Sequence, residues 1–331
     1  MPQPWHATHG TIDPLSALLL ILRRSLLLLG TLLAISWLTF AIVNALPGDL
    51  AHAILGDAAT PEQIAVLRHQ LGLDLPFGQR YVAWLTSLLH GDLGVSRQYG
   101  QPIAAMLWGR LQNSLILGVL ALLVATPLAI ALGVAAAVYR DSWIDRLVAA
   151  CSLVSFGVPE YVVGVAAILI FGIWLPWLPA SSLLAAGENP FARPEALVLP
   201  VAVLALGLLT YTCQITRAGM VTALRSGYVR TAVLKGMSRK HVILRHALPN
   251  ALLPVICEVG MHFGYVIGGL VVVETLFAYA GIGQMMVSAV NYRDVATVQA
   301  TILVIASAYG IGNLLADVAT ILLDPRIGKR A

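Results

Sequence analysis

The chain has 331 residues, of which 59% are hydrophobic and only 11% charged, and its mean hydropathy is +0.84. Soluble domains run nearer about 45–50% apolar and about 25% charged, so this composition excludes a water-soluble enzyme, a disordered chain and a coiled coil. The net charge of +4 is no sign of nucleic-acid binding, because Lys and Arg gather in particular loops, as membrane topology requires.

A helix crosses the hydrocarbon core with about 20 mostly apolar residues. Six segments meet that length: residues 25–46, 113–138, 147–178, 197–216, 251–274 and 295–323. The expected architecture is therefore an all-α, polytopic membrane bundle of six transmembrane helices. A polar tail, 1–24, precedes the first crossing. A cleavable signal peptide is the rival reading there, but the apolar run after Arg23-Arg24 exceeds the usual h-region of about 7–15 residues, and Asn44-Ala45-Leu46-Pro47 is a poor cleavage site.

Residues 47–111 form the longest stretch outside the membrane. Thr60 before Pro61-Glu62-Gln63 marks a helix start, with Thr as N-cap and Pro in the first turn. Tyr81, Trp84, Leu85, Leu88 and Leu89 make a second apolar stripe, ended by Gly91. Both read as amphipathic scaffold resting on the membrane or the bundle. In the third crossing, Ser155-Phe156-Gly157-Val158-Pro159-Glu160 predicts a break, since Pro159 has no N–H to donate.

Basic residues set the orientation. Arg23, Arg24, Arg140, Arg146, a group from Arg217 to Arg245, and Arg326, Lys329 and Arg330 outnumber the six arginines of the opposite side. That excess predicts cytoplasmic termini.

Catalytic signatures are missing from the sequence. There is no G-x-x-x-x-G-K-[ST] for ATP phosphates, no H-E-x-x-H and no G-x-S-x-G. Gly281-Ile282-Gly283 and Gly310-Ile311-Gly312 lack a third glycine and the strand context of a dinucleotide fold. His6 and His9 make a weak metal pair, and the three cysteines, Cys151, Cys213 and Cys257, are too scattered for a disulfide framework or a zinc site.

The stretch 226–254 carries most of the functional signal. Tyr228 to Lys235 holds good helix formers, Gly236 stands at a left-handed C-terminal cap, and Ser238 is placed to cap a second helix that Leu248-Pro249 stops. The result is a helix–Gly–helix elbow between two crossings. Its residues Tyr228-Val229-Arg230-Thr231-Ala232, Lys235-Gly236-Met237-Ser238 and Arg245-His246-Ala247-Leu248 closely resemble the EAA loop of ATP-binding-cassette importer permeases, in the form of the dipeptide/oligopeptide branch. Leu46-Pro47-Gly48-Asp49, Leu71-Gly72-Leu73-Asp74, Gly91-Asp92-Leu93-Gly94-x-Ser96, Trp177-Leu178-Pro179-Ala180, Val273-Glu274-Thr275 and Leu323-Asp324-Pro325-Arg326 resemble further motifs of that branch, in order along nearly the whole chain.

The resemblance implies a type I importer permease fold with a permease domain over residues 25–323, a coupling loop over 217–250 and a short tail at 324–331. It implies a transport subunit, not an enzyme, that carries di- or oligopeptides across the bacterial plasma (inner) membrane. Nickel chelates, glutathione and antimicrobial peptides are the alternative cargoes. It further implies a second homologous permease subunit, two ATPase subunits or one fused pair that hold ATP and Mg, and an extracytoplasmic substrate-binding protein as partners. Tyr228, Arg230, Thr231, Ala232, Lys235, Gly236, Met237 and Ser238 are then the residues that couple to the ATPase. This chain holds no cofactor of its own, and coupling is mechanical.

Ionisable residues inside a bilayer are functional candidates. Glu160 follows the Pro159 break, and Glu258 and His262 lie four apart on the fifth crossing. Either these two line a cavity that meets a peptide amine or another cation, or they form an interhelical pair within the bundle. Glu274 and Asp317 match family positions and read as structural. An ion-coupled transporter would show inverted repeats, and an intramembrane enzyme would need a nucleophile–base or metal constellation; neither pattern is evident.

Overall fold

The computed structural model describes residues 14–45, 59–70, 74–183 and 188–323. Among these residues the chain is helical, with no β-structure beyond a single bridge between Val95 and Pro102. The Leu46-Pro47-Gly48-Asp49 motif, Leu71-Gly72-Leu73, His6, His9 and the tail beyond Leu323 lie outside the described residues.

The first helix, α1, spans Pro14–Ala45 and so begins within the expected tail. At 1.5 Å per residue its 32 residues reach about 48 Å, well beyond a core of about 30 Å. Two outer helices follow, α2 (Pro61–Gln70) and α3 (Phe77–Leu89). Thr60 and Gln63 exchange hydrogen bonds, Gln63 N–H to Thr60 Oγ1 at 3.3 Å and Thr60 N–H to Gln63 Oε1 at 3.0 Å. This reciprocal capping box satisfies two helix-end donors. The aromatic stripe of α3 packs on α1: the Phe40 ring lies 5.5 Å from Tyr81 and 5.4 Å from Trp84, and the Ser36 and Tyr81 hydroxyls are 2.8 Å apart. Arg80 donates to the Asn44 side-chain oxygen at the same junction. Of the two placements expected for this stripe, packing on the bundle is the one observed.

Next come α4 (Ile103–Val138), α5 (Trp143–Gly157), α6 (Glu160–Ala167) and α7 (Pro194–Leu224). The α4 helix starts ten residues before the expected crossing, because its first turns pack against protein. Ile103 and Leu107 are buried with Ile282, Met285 and Ala300. Ala121, Ala125, Ala129, Gly133 and Ala137 recur every four residues of α4, and all are buried. Small residues at that spacing let two backbones approach closely. At Gly133 a Cβ would fall 2.7 Å from the Cys213 carbonyl oxygen of α7, so no larger residue fits.

The third crossing differs from a single rod. Its halves meet at 103° across Val158-Pro159, and the second half passes from α6 into a wide π turn, Ile168–Trp174. With 15 residues each, neither half reaches across about 30 Å alone. The expected break is present, at the proline that lacks a ladder donor.

The elbow contains α8 (Gly227–Leu234) and the short α9 (Arg239–His241), then a π turn, Val242–Ala247, that runs straight into α10 (Leu248–Leu276). Here two expectations are corrected. Pro249 does not stop the helix, because the i→i+5 turn before it opens the spiral where the ring would otherwise strike the preceding carbonyl. Ser238 has the extended N-cap backbone but makes no side-chain cap bond; its carbonyl accepts from Val242 N–H at 3.0 Å instead. The chain ends in α11 (Ile282–Asn291) and α12 (Val295–Leu323).

Among the described residues, α1, α4, α7 and α12 are long and apolar enough to cross a membrane, and the bent α5–α6 pair makes a fifth if it is one span. The main core lies where α4, α6, α7 and α10 meet. It buries Leu117, Val203, Leu208, Leu270, Val273 and Phe277.

Candidate functional site

The elbow is built by a complete C-terminal cap. Gly236 has φ +79°, Gly236 N–H donates to Val233 C=O at 2.9 Å, and Met237 N–H donates to Ala232 C=O at 3.3 Å. That is the bond pattern of a Schellman motif, and it needs a residue at ease in the left-handed region. Val229 and Ala232 turn inward, onto Ala137, Met220, Ala223, Val242, Ala247 and Ala251 of α4, α7 and the start of α10. Arg230, Thr231, Lys235 and Ser238 face outward. So do Tyr228, Met237, Val233 (56% exposed) and Leu234 (78% exposed). Of the eight coupling candidates, Ala232 is thus an anchor and the other seven are exposed. Arg239 donates to the Val138 carbonyl at 3.3 Å, which ties the elbow to the α4–α5 turn.

A neighbouring ion pair escaped the sequence reading. Arg217 of α7 meets Asp145 of α5 with two parallel hydrogen bonds, Nε to Oδ1 at 2.6 Å and Nη2 to Oδ2 at 2.7 Å. The hydrogen bonds from Arg217 hold the Asp145 carboxyl down to a pKa of about 2. Ser142-x-x-Asp145 has the spacing of a capping box, so a helix start was legible there; nothing local announces Arg217 as the partner.

On the opposite side, two acids act as structural acceptors. Glu274 is fully buried and receives Ser114 Oγ at 2.5 Å, Gly283 N–H at 2.8 Å and Gln284 N–H at 3.2 Å, and so caps the start of α11. Asp294 receives Ser96 Oγ at 2.6 Å, Thr297 Oγ1 at 2.8 Å, and the N–H groups of Gln98 and Thr297 at 3.3 Å. Burial pushes the Asp294 carboxyl up, but these bonds outweigh it and its pKa lies below the ordinary value. This explains the Gly94-x-Ser96 motif: it docks the outer segment on α12. Asp317 pairs with Arg24 of α1 at 3.3 Å.

Of the three membrane acid/base candidates, Glu160 and Glu258 have separate surroundings. Glu258 is 2% exposed and lies against α7, with Thr212 Oγ1 donating to its two oxygens at 3.1 and 3.3 Å. His262 is on α10, but its side chain falls outside the described residues. Glu160 heads α6 and lines a cavity of about 350 Å³ between the α5–α6 break and α7.

Among the described residues the geometry is that of a bundle of long apolar helices carrying an exposed elbow that is both basic and apolar. Residues 129–329 match the family described as "Binding-protein-dependent transport system inner membrane component", and residues 17–112 match its N-terminal domain. The chain belongs to that family and is a multi-pass inner-membrane permease component. It is 36% identical over 308 residues to a Brucella abortus protein named as a peptide transport system permease, covering 93% of this chain and 98% of the relative. It is 34% identical over 307 residues to the glutathione transport system permease protein GsiC of Salmonella typhimurium, with the same two coverages. A Sinorhizobium fredii protein named as a peptide ABC transporter permease is also 34% identical over 307 residues.

Proposed function

We propose that this chain is the membrane-spanning subunit of a peptide importer that draws its energy from ATP hydrolysed, with Mg, on two separate ATPase subunits. In this reading it has six crossings and cytoplasmic termini, pairs with a second permease subunit, and receives cargo from an extracytoplasmic binding protein. The observation that carries the proposal is the elbow. Val233 and Leu234 stand in water beside Arg230 and Lys235 on the side where basic loops gather, so an apolar patch with a charged rim is left for a partner. Because Val229 and Ala232 key the elbow into α4, α7 and α10, a push on the exposed face moves those helices with it. Relatives named for peptide transport support the cargo, and the relative named for glutathione, itself a tripeptide, supports small peptides as a second reading.

The test is Gly236→Val. A β-branched residue in the left-handed region costs about 1–2 kcal/mol, and the cap would reopen and re-aim the exposed face. The variant is expected to reach the membrane in normal amount, to lose ATP-dependent uptake, and to co-purify less ATPase. Normal uptake by this variant would sink the coupling assignment.

A further inference from the structure

Glu160, half-buried, differs from the four buried acids. Asp145, Glu258, Glu274 and Asp294 each accept hydrogen bonds from protein donors. Among the described residues no donor reaches the Glu160 carboxylate. Its oxygen Oε1 lies so close to α7 that a Cβ at Gly207 would stand 3.1 Å away. Gly207 sits at the centre of the 197–216 crossing, which puts this carboxylate near the bilayer midplane. A carboxylate at that depth is costly unless a cation meets it or water reaches it.

The cavity it opens into is suited to a cation. Phe156 and Tyr211 contribute aromatic surface, which attracts ammonium groups. Ser155 and Thr210 add hydroxyls that can accept from the remaining ammonium protons. We infer that this cavity receives the protonated amino group of the transported substrate, with Glu160 as its counter-ion and the α5–α6 break as the device that aims it. Gly207 leaves the carboxylate room to turn toward the guest. The inference rests on the peptide-import reading and adds which part of the peptide is read within the membrane.

The assay is uptake by the full complex in proteoliposomes: permease pair, ATPases and binding protein. A tripeptide with a free N-terminus is compared with its N-acetylated form. The same binding protein serves wild type and variants, so its own preference cancels. Glu160→Gln is expected to lower the ratio of free-amine to N-acetylated uptake by about tenfold or more, the scale of one hydrogen bond to a charged group. Should Glu160→Gln not assemble, Gly207→Ala carries the test; its methyl group crowds the carboxylate and is expected to lower the same ratio. Wild-type uptake with an unchanged ratio in the assembled variants overturns the role of Glu160 alone. Wild-type uptake of neither peptide overturns the peptide reading and this inference with it.

Discussion

Breaking the Asp145–Arg217 bridge should have an asymmetric cost. Asp145 is 6% exposed and Arg217 is 29% exposed. Asp145→Asn leaves a guanidinium that still reaches water, whereas Arg217→Gln leaves a carboxylate shut in. The shift of Asp145 from 3.8 to about 2 corresponds to a ceiling of about 2.4 kcal/mol at 1.36 kcal/mol per unit. Screening at the exposed arginine reduces it, so Asp145→Asn is expected to cost about 1–2 kcal/mol. Arg217→Gln should cost more, toward the roughly 3–5 kcal/mol of an orphaned buried charge. Denaturant titration of the permease in mixed micelles measures both, and the double variant should lose less than the sum. A carboxyl held low stabilises fully above its unfolded value and loses that contribution as pH falls. The bridge should therefore weaken between about pH 4 and pH 2 in the wild type. Arg217→Gln should flatten that limb. Equal and additive losses, with the acid limb untouched, would refute the reasoning.

In a variant stripped of its native cysteines, a cysteine at Gln79 should react with impermeant reagent from outside, and one at Ser238 only after permeabilisation; the reverse pattern would invert the topology. Glu258→Gln should lower thermal stability, because it weakens the α7–α10 contact through Thr212. Unlike Glu160→Gln, it should leave the ratio of free-amine to N-acetylated uptake unchanged, and a shifted ratio would put Glu258 on the substrate path.

Where a local rule governs, sequence and structure agree closely. The Thr60 start, the Gly236 cap, the break at Pro159 and the apolar run of α12 each depend on a few adjacent residues, and each stands where that chemistry puts it. The failures come from what lies across space. Bilayer thickness predicts where a helix must be apolar but not where it ends, so α4 and α7 run on past the expected crossings to pack on protein. Pro249 reads as a stop only if the spiral keeps its usual pitch, and the π turn before it changes that pitch.

The same distinction separates the acids. Residue type and membrane depth nominate Glu160 and Glu258 alike, since both carry a carboxyl into an apolar crossing. What divides them is the face of α7 that each one meets. Glu258 finds Thr212, a hydroxyl that answers it; Glu160 finds Gly207, which has no side chain and leaves a space. Thr212 and Gly207 are five residues apart on one helix, a little more than one turn. Neither residue marks itself as the partner of a given acid until the crossing of α7 with α6 and α10 is known. A carboxylate that its own fold has satisfied holds helices together, whereas one left facing an open cavity is available to a guest.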